Sequence, residues 1–471
     1  MEATAPAAEK QHTLWASLVE AVRGSHQDYT TGSLNRAILL LAVPMVLEMV
    51  LESLFGVVDV FWVGRLGANA VATVGLTESM LSLVFAVAMG LSLSTTAMVA
   101  RRIGEKDPEG AAIAGVQAIA LGLAVSVAIG VPSFLFAPNL LRLMGATPEI
   151  VAIGSGYTRI CLGGCFAVLL LFLNNAIFRG AGDAAIAMRL LWVSNIINLV
   201  LDPCLIFGWG PFPRLGVTGA ALATLTGRSI GVLYQFYRLM RGTERLRILR
   251  SQIRPRLDVL LRLMRVSLTG ILQFAIAHTS WVGLVRIVSI FGAAALAGYT
   301  IAIRIVIFVI LPSWGMSNAA ATLVGQNLGA GRVDRAEQSV RTASTFNVIF
   351  SLLVTLILLF LGGYIVSFIN PDPSIGIVSV RALQIIAPGY VFYGIGMVMT
   401  NAFNGAGDTR TPTIVNFFCF WTFQIPLAWL LAIGLGFGPK GVFFAIVITE
   451  TTISIVSFLL FRRGGWKRVK V

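Results

Sequence analysis

Two aspartates lie inside hydrophobic stretches of the first half of the chain, at equivalent depths. Asp59 precedes the Gly64 turn by five residues, and Asp202 precedes the Gly208 turn by six. At a rise of about 1.5 Å per residue, both carboxyl groups lie roughly 8–9 Å below the same end of their helices. Two carboxyl groups that share a low-dielectric pocket cannot both ionise cheaply. The pair therefore predicts a proton site, or a Na⁺ site once both acids are ionised.

Three further polar residues fall in the same layer. Asn198 lies one helical turn from Asp202 on the same face. Tyr157 lies about two turns into another hydrophobic stretch, and Thr218 begins a fourth. The predicted cation-coupling site therefore comprises Asp59, Asp202, Asn198, Tyr157 and Thr218. The alternative is a polar network that only holds the helices together, which buried charges do at a high cost.

Two glutamates precede Asp59 on the same predicted helix. The spacings from Glu48 to Glu52 and from Glu52 to Asp59 are four and seven residues, which places the three acids on one face. Pro44, one turn before Glu48, predicts a kink. One hypothesis is that Glu48 or Glu52 relays protons or contacts cationic solutes. The alternative is an ion pair between lobes, for which the second half offers His278, Arg286 and Arg304.

Long hydrophobic stretches must position these residues. Hydrophobic residues make up 57% of the 471 residues and charged residues 12%, against about 25% charged in soluble domains. With about 20 residues needed per membrane span, the sequence predicts twelve membrane helices. Spans 1 to 6 cover 35–63, 69–99, 111–136, 149–178, 184–208 and 216–240. Spans 7 to 12 cover 257–290, 294–327, 336–368, 374–403, 409–435 and 441–462.

The two halves repeat each other at a constant shift of 225 residues. Pro148 falls on Pro373, and the Gly-Ala-Gly-Asp sequence at 180–183 falls on 405–408. The repeat predicts an all-α integral membrane protein with two pseudo-symmetric lobes of six helices, an architecture of secondary transporters. The same shift replaces Asp59 by Leu284 and Asp202 by Leu427. The acid pair is thus specific to the first lobe, which favours a functional role.

The predicted divisions follow from the spans. They are an N-terminal segment (1–34) with a short interfacial helix at 13–23, an N-lobe (35–240), a linker (241–256), a C-lobe (257–462) and a tail (463–471).

Basic residues cluster in alternate loops. Nine arginines lie in 238–265, and five of the basic residues lie in 462–470. This asymmetry predicts that both termini and the linker are cytoplasmic. The net charge of +14 therefore reports topology and does not indicate a nucleic-acid partner. The four cysteines lie in apolar stretches, as small core residues do, and predict neither a metal site nor a disulfide.

Several motifs resemble a known family. They are Leu41-Ala42-Val43-Pro44, Val57-Val58-Asp59-x-x-x-Val63-Gly64-Arg65-Leu66-Gly67 and Val324-Gly325-Gln326-Asn327-Leu328-Gly329. The chain resembles the multidrug and toxic compound extrusion (MATE) transporters from about residue 35 to 462. It looks most like the prokaryotic branch related to the DNA-damage-inducible F proteins.

That resemblance implies roles for individual residues. It assigns the N-lobe cation site to the five residues predicted above, adds Asn175 as a further candidate, and places a bend of span 1 at Pro44. The NorM-type branch instead uses acids on spans 7 and 10. The corresponding stretches here, 270–280 and 390–400, contain no acid, and His278 is the titratable candidate in them. The resemblance therefore favours coupling through the N-lobe.

The function implied is secondary active multidrug efflux. Small organic compounds, often cationic, would leave through a cavity between the lobes in exchange for H⁺ or Na⁺, with no cofactor and no structural metal. A monomer in the prokaryotic inner membrane, surrounded by lipid, is sufficient. The alternative within the superfamily is a flippase for lipids or lipid-linked oligosaccharides, which needs a cationic cavity. Its candidate residues are Arg159, Arg228, Arg286 and Arg304. Motifs for ATP hydrolysis, HExxH metal binding or a Ser-Lys dyad do not occur in the sequence, so we expect no enzyme.

Overall fold

The computed structural model describes residues 14–25, 27–243, 245–370 and 372–469, and these residues form helices joined by short turns. Residues 1–13 of the predicted N-terminal segment lie outside the described part. The helices of the first half are α1 (Leu14–Arg23), α2 (Leu34–Gly64), α3 (Ala68–Gly104), α4 (Pro108–Leu135), α5 (Ala137–Leu143), α6 (Pro148–Gly163), α7 (Cys165–Ala181), α8 (Ala184–Phe207) and α9 (Val217–Arg241).

The second half repeats this order. Its helices are α10 (Leu257–Ser289), α11 (Ala293–Gly329), α12 (Val333–Ile369), α13 (Pro373–Ile386), α14 (Tyr390–Gly405), α15 (Arg410–Asn416), α16 (Ile425–Trp429) and α17 (Pro439–Arg463). Two stretches of wider π-helix, Phe417–Gln424 and Leu430–Gly434, continue α15 and α16. The segment 410–434 is therefore one membrane span built from α-helical and π-helical turns.

The twelve predicted spans are confirmed. Within the described ranges, eleven segments are long and apolar enough to cross a membrane. The twelfth is α9, a 25-residue helix that is more polar because it carries Arg228 among its buried residues. Spans 4 and 10 are each broken once, at Gly164 and at Ala387–Gly389. Gly164 and Gly389 are related by the repeat, so the two breaks are a shared feature of the lobes.

The main contacts between the lobes are two symmetry-related crossings, α2 with α11 and α3 with α10, and a contact of α3 with α11. Glycines allow both crossings. A Cβ atom at Gly90 would lie 2.7 Å from Ile271 Cα, and one at Gly315 would lie 2.7 Å from Val46 N. The repeat shift maps Gly90 onto Gly315 and Val46 onto Ile271. The same backbone contact is therefore made twice, as a two-fold pseudo-symmetry axis requires.

A second symmetric contact lies nearer the ends of these helices. A Cβ at Gly104 would lie 2.7 Å from the carbonyl carbon of Gln326, and one at Gly329 would lie 3.0 Å from Gly104 Cα. Larger side chains at either glycine would push the two lobes apart. This end of the molecule is thus closed by direct backbone contact between lobes.

The N-terminal strap, which we define as residues 25 and 27–31, crosses the same end and contacts both halves. Tyr29 donates from its hydroxyl to the Gly182 carbonyl at 3.4 Å in the N-lobe. From the C-lobe, Arg332 and Arg335 donate to the carbonyls of Thr30 and Thr31, each at 2.7 Å. The strap therefore ties the lobes together where their helices already touch.

Both ends of the described part of the chain lie at this closed end. The predicted helix at 13–23 is confirmed as α1, on which Trp15 is 74% exposed. In the tail, Trp466 is fully buried and stacks on Phe461 with ring centroids 4.7 Å apart, and Lys467 forms an ion pair with Glu337. The segments predicted to share one side of the membrane thus share one end of the structure.

Candidate functional site

The structure brings the two predicted aspartates together inside the N-lobe. Asp59 on α2 is 8% exposed and Asp202 on α8 is fully buried, and the two carboxyl groups are close enough to interact electrostatically. Asn198, one turn earlier on α8, donates from Nδ2 to Asp202 Oδ1 at 3.2 Å. It also donates to Thr224 Oγ1 at 3.2 Å. Together with the half-buried Thr224, these side chains form one polar cluster inside the N-lobe.

Each acid of this cluster keeps one buried oxygen without a hydrogen-bond partner in the described part of the chain. These atoms are Asp59 Oδ1 and Asp202 Oδ2. An unpaired buried carboxylate oxygen is costly, because neither water nor a donor compensates its desolvation. A proton on one carboxyl group, or a cation between the two, would remove that cost. The geometry therefore fits a site whose occupancy changes.

Tyr157 and Thr218 lie next to this cluster. Tyr157 on α6 is 4% exposed, packs against Val63 and Val217, and interacts electrostatically with Asp59. Thr218, in the first turn of α9, lies against α6, where a Cβ at Gly156 would be 2.8 Å from its Oγ1. The hydroxyl that contacts Asn198 is that of Thr224. The roles of Tyr157 and Thr218 remain predictions.

Glu78 on α3 is a neighbour that the sequence analysis missed. It is exposed, and it interacts electrostatically with Asp59 on one side and with Arg304 of the C-lobe on the other. A lone glutamate inside a predicted membrane span was the available signal, because an acid there costs about 2.5–3.5 kcal/mol on insertion scales. Glu78 places a third carboxyl group beside the aspartate pair.

Glu48 and Asn175 belong to a second cluster. Asn175 donates to Glu48 Oε1 at 2.8 Å, and Arg179 Nη1 lies 3.4 Å from the same oxygen. Gln235 Nε2 donates to Asn175 Oδ1 at 2.7 Å. All four residues are buried. Asn175 therefore lies in an ion-pair network with Glu48, and its direct bonds are to that network.

The hypothesis of an ion pair between lobes is wrong for both glutamates. Glu48 pairs with Arg179 on α7, and Glu52 pairs with Arg228 on α9 at 3.0 Å. Both partners belong to the N-lobe. The acidic face of α2 packs into its own lobe, so the basic residues nearest to both glutamates are those of the N-lobe. Pro44 lies within α2, whose helix continues without a break from Leu34 to Gly64.

The C-lobe contains a cavity with a volume of about 350 Å³. His278, on the α10 wall, lines it and is exposed, with Nδ1 3.0 Å from the Phe274 carbonyl. Glu450 on α17 lines it as well. Glu450 was not among the predicted site residues, because it lies outside the stretches of spans 7 and 10 that correspond to the acidic positions of the NorM-type branch.

Metal-ligand sets are not evident at either site. Among the described residues, no three or more His, Cys, Asp or Glu side chains lie together in a way that could hold a metal ion. Cys161, Cys165, Cys204 and Cys419 are all free thiols. The aspartate pair remains the candidate place for a transiently bound Na⁺.

Comparison with known proteins identifies the family. The MatE family model matches residues 44–204 and again residues 271–430. The two matches cover most of the chain and correspond to the two halves of the repeat. The chain belongs to the MatE family. It is therefore a membrane transporter and not an enzyme.

Two curated relatives span nearly the same length. A probable multidrug resistance protein NorM from Thermotoga maritima is 26% identical over 435 residues, which cover 92% of this chain and 94% of the relative. A FAD transporter from Shewanella oneidensis is 24% identical over 434 residues, covering 91% and 95%. MatE relatives thus include proteins named for quite different substrates.

Solved structures confirm the fold. A MATE protein in its bent conformation superimposes with a TM-score of 0.87 at 28% identity, covering 95% of this chain and 98% of that protein. An outward-facing multidrug resistance MATE transporter gives a TM-score of 0.87 at 28% identity, covering 94% and 98%. The all-α architecture of twelve membrane helices in two lobes is confirmed.

Proposed function

We propose that this MatE protein is a cation-coupled antiporter that exports small organic compounds, and that Asp59 and Asp202 are its coupling site. The observation that supports this most is the unpaired buried oxygen on each aspartate. The two carboxyl groups also lie close enough to interact, so one cation can compensate both oxygens. The relative named as a probable multidrug resistance protein supports the class of transported compounds.

Coupling requires that cation binding favours one conformation over another. The aspartates lie on α2 and α8, and α2 also forms the crossing with α11 of the other lobe. Neutralising the pair by H⁺ or Na⁺ would let these helices pack more closely. A movement of α2 reaches the interface between lobes directly. Cation binding at the aspartates can therefore alter the contact between the lobes through α2.

The closed end is the proposed cytoplasmic end. It holds the N-terminal strap, the linker residue Arg245, and the basic residues near 101 and 332. Lysine and arginine enriched on one side indicate the cytoplasmic side. The similarity to an outward-facing transporter supports the same assignment. We propose that rocking of the lobes breaks the strap contacts and opens this end to the cytoplasm.

Ethidium efflux tests the proposal. Native protein and Asp59→Asn are reconstituted in proteoliposomes loaded with ethidium, and a pH gradient or a Na⁺ gradient is imposed separately. We expect efflux driven by one of the gradients in the native chain and loss of that dependence in Asp59→Asn. The control is Asp334→Asn, an identical substitution at an exposed residue. Gradient-driven efflux by Asp59→Asn at the native rate would contradict the assignment.

The flippase alternative needs a cationic cavity, and the structure argues against one. The described lining of the C-lobe cavity contains Glu450 and His278 but no lysine or arginine. Arg228 is engaged by Glu52, and Arg159, Arg286 and Arg304 are exposed. Scrambling of a fluorescent lipid by the native chain, without ethidium efflux, would favour the flippase.

A further inference from the structure

Two opposite charges lie on either side of the space between the lobes, toward the outer end, which is the end opposite the closed end. Glu78 lies on α3 of the N-lobe and Arg304 on α11 of the C-lobe, and both side chains are exposed. They are near enough to interact electrostatically. Within the described chain, however, neither takes part in an ion pair of 4.0 Å or shorter. An exposed glutamate opposite an arginine is ionised at neutral pH, so the two charges attract each other without contact.

The charges lie on the sides of α3 and α11 that touch at the closed end. A Cβ at Gly325 of α11 would lie 2.7 Å from Ala100 Cβ of α3. At about 100° per residue, Glu78 lies about 40° from Ala100 around α3, and Arg304 lies about 60° from Gly325 around α11. Toward the outer end the helices have separated, because a Cβ at Gly75, one turn from Glu78, would meet nothing within 4 Å.

Both charges also lie at the same level along the two helices. Glu78 precedes the Gly90 crossing by 12 residues, and Arg304 precedes the Gly315 crossing by 11. At a rise of about 1.5 Å per residue, each lies about 16–18 Å further out than its crossing. Pro312 lies within α11 between Arg304 and Gly315, and a proline lets a helix bend. Rocking that opens the closed end would therefore bring these two charges together.

The repeat shows that this pair is not a shared feature of the lobes. The shift of 225 residues relates Glu78 to Ile303 and Arg304 to Ser79. A two-fold axis between α3 and α11 places equivalent positions opposite each other. Adjoining positions on the two helices therefore carry one negative and one positive charge, and the partner of each lies across the axis in the other lobe.

Glu78 also acts on the proposed coupling site. It is near enough to Asp59 to interact electrostatically, and its negative charge favours a cation on that aspartate. The other charged or titratable groups that interact with Asp59 come from α8, α6 and α9, and they are Asp202, Tyr157, Cys161 and Arg228. These four all belong to the N-lobe, so rocking leaves them in place and changes the distance to Arg304.

We infer that Glu78 and Arg304 form the outer gate of the transporter, an ion pair that is open here and closes when the lobes rock. The inference deepens the proposed antiport and rests on its coupling site. In the open state the charge of Glu78 is only partly compensated and holds the coupling cation on Asp59. Once Arg304 pairs with Glu78, the two charges offset each other and the cation is released toward the cytoplasm. Closing the outer end thus weakens cation binding, as coupled import of the cation requires.

Spin-label distances across the outer end test the gate. Asn69 and Ala294 are exposed, are related by the repeat, and lie in the first turns of α3 and α11. Labels are placed there in a variant whose four native cysteines are replaced by alanine, in proteoliposomes that are exporting ethidium. We expect a short-distance population in this background. Glu78→Gln and Arg304→Gln should each lower the ratio of short to long distances about threefold to fivefold, as for loss of a partly exposed ion pair.

Reversal of both charges separates a gate from a merely structural role. Glu78→Arg and Arg304→Glu should each lose the short distances, and the double variant should regain them because opposite charges again face each other. Glu149→Gln and Arg142→Gln, at exposed residues of the same end, are the controls and should keep the native distances. Size-exclusion profiles confirm that each variant is folded.

The link to Asp59 is measured by ethidium efflux. Glu78→Gln should need about threefold to tenfold more of the coupling ion for half-maximal efflux, because the charge that favours the ion on Asp59 is gone. The double charge reversal should not regain native coupling, since it places an arginine beside Asp59. An unchanged ion requirement in Glu78→Gln would overturn the link.

The gate and the coupling site can fail separately. If Asp59→Asn keeps gradient-driven efflux while the Arg304 variants lose the short distances, the coupling site is wrong and the gate stands without its link to Asp59. If Asp59→Asn loses coupling while Glu78→Gln and Arg304→Gln keep the native distances, the gate is wrong and the coupling site stands. A folded double variant without rescue, or an exporting native sequence without short distances, also overturns the gate.

Discussion

Replacing Gly90 by alanine should push the two lobes apart where α3 crosses α10. A Cβ atom at this position would lie 2.7 Å from Ile271 Cα on α10. The obstructing atoms include backbone, which cannot rotate away as a flexible side chain does. The backbone nitrogen of Ile271 would lie closer still, and ordinary van der Waals contact begins at 3.4 Å, so α3 and α10 must move apart by about 1 Å at the crossing to accept the methyl group.

The magnitude follows from the cost of overpacking. Adding a methyl group to a close-packed interior costs about 1–3 kcal/mol when the backbone must shift. The cost applies only to the conformation in which α3 and α10 touch. It should therefore shift the equilibrium away from this conformation by a factor of about 5 to 150. The fold of each lobe should be unaffected, because alanine favours the helix itself.

Distances between spin labels measure this shift. Labels at Glu109 and Asp334, which are exposed and related by the repeat, report the separation of the lobes at the closed end. They are introduced in a variant whose four native cysteines are replaced by alanine. We expect the share of long distances to rise in Gly90→Ala and, by symmetry, in Gly315→Ala.

Gly75→Ala is the matched control, since Gly75 lies on the same helix and a Cβ there would meet nothing within 4 Å. It should keep the native distance distribution. A folded Gly90→Ala protein with the native distribution would refute the reasoning, because it would show that the crossing does not hold this end closed.

The remaining predictions concern the ion pairs, the coupling site and the strap. Glu48→Ala should lower stability by about 3–5 kcal/mol, because it leaves Arg179 buried without its acid; thermal unfolding compared with Asp334→Ala checks this. Asp202→Asn should abolish gradient-driven ethidium efflux as Asp59→Asn does, and normal efflux would remove Asp202 from the site. Arg335→Ala removes the side chain that donates to the Thr31 carbonyl of the strap, so hydrogen exchange should accelerate in residues 27–31. Unchanged exchange would show that other contacts hold the strap.

Hydropathy and the repeat were sufficient to predict the architecture. Membrane spans are recognisable because backbone groups in lipid must be satisfied within each helix, which forces long apolar stretches. The N-lobe cluster was also accessible, since the depth of Asp59 and Asp202 follows from their distance to Gly64 and Gly208. Depth along a helix is a property of one segment and needs no knowledge of its neighbours.

Pairings between helices were less accessible. The sequence offered Glu48 and Glu52 several basic partners, and the choice depends on which helices adjoin α2 and how each is rotated. The structure selects Arg179 and Arg228 of the same lobe. Hydrophobic periodicity could not resolve this choice, because a buried membrane helix is apolar on nearly all sides.

Glu450 was missed for a different reason. The comparison of the repeats started from the acids of the N-lobe and therefore found only acids that the C-lobe lacks. Glu450 is the opposite case, an acid of the C-lobe where the N-lobe has Leu225. A lone acid in the last hydrophobic span was itself a signal of a functional residue, because an acid inside a membrane span costs free energy. The free-energy cost of placing an acid in a membrane span is therefore informative in both copies of a duplicated transporter, including positions at which the two copies differ.

The unequal charge of the lobes has a mechanistic consequence. If coupling ion and cargo bound the same carboxylates, exchange would follow from simple competition. The proposed coupling pair is buried inside the N-lobe, and neither aspartate lines the pocket between the lobes, so we propose that ion and cargo do not compete for one site. Exchange must then pass through the relative position of the lobes, whose crossings at Gly90 and Gly315 are the contacts both sites can bias. Spin-label distances should therefore respond to ethidium and to the coupling ion in opposite directions, and Asp59→Asn should lose the response to the ion while keeping the response to ethidium.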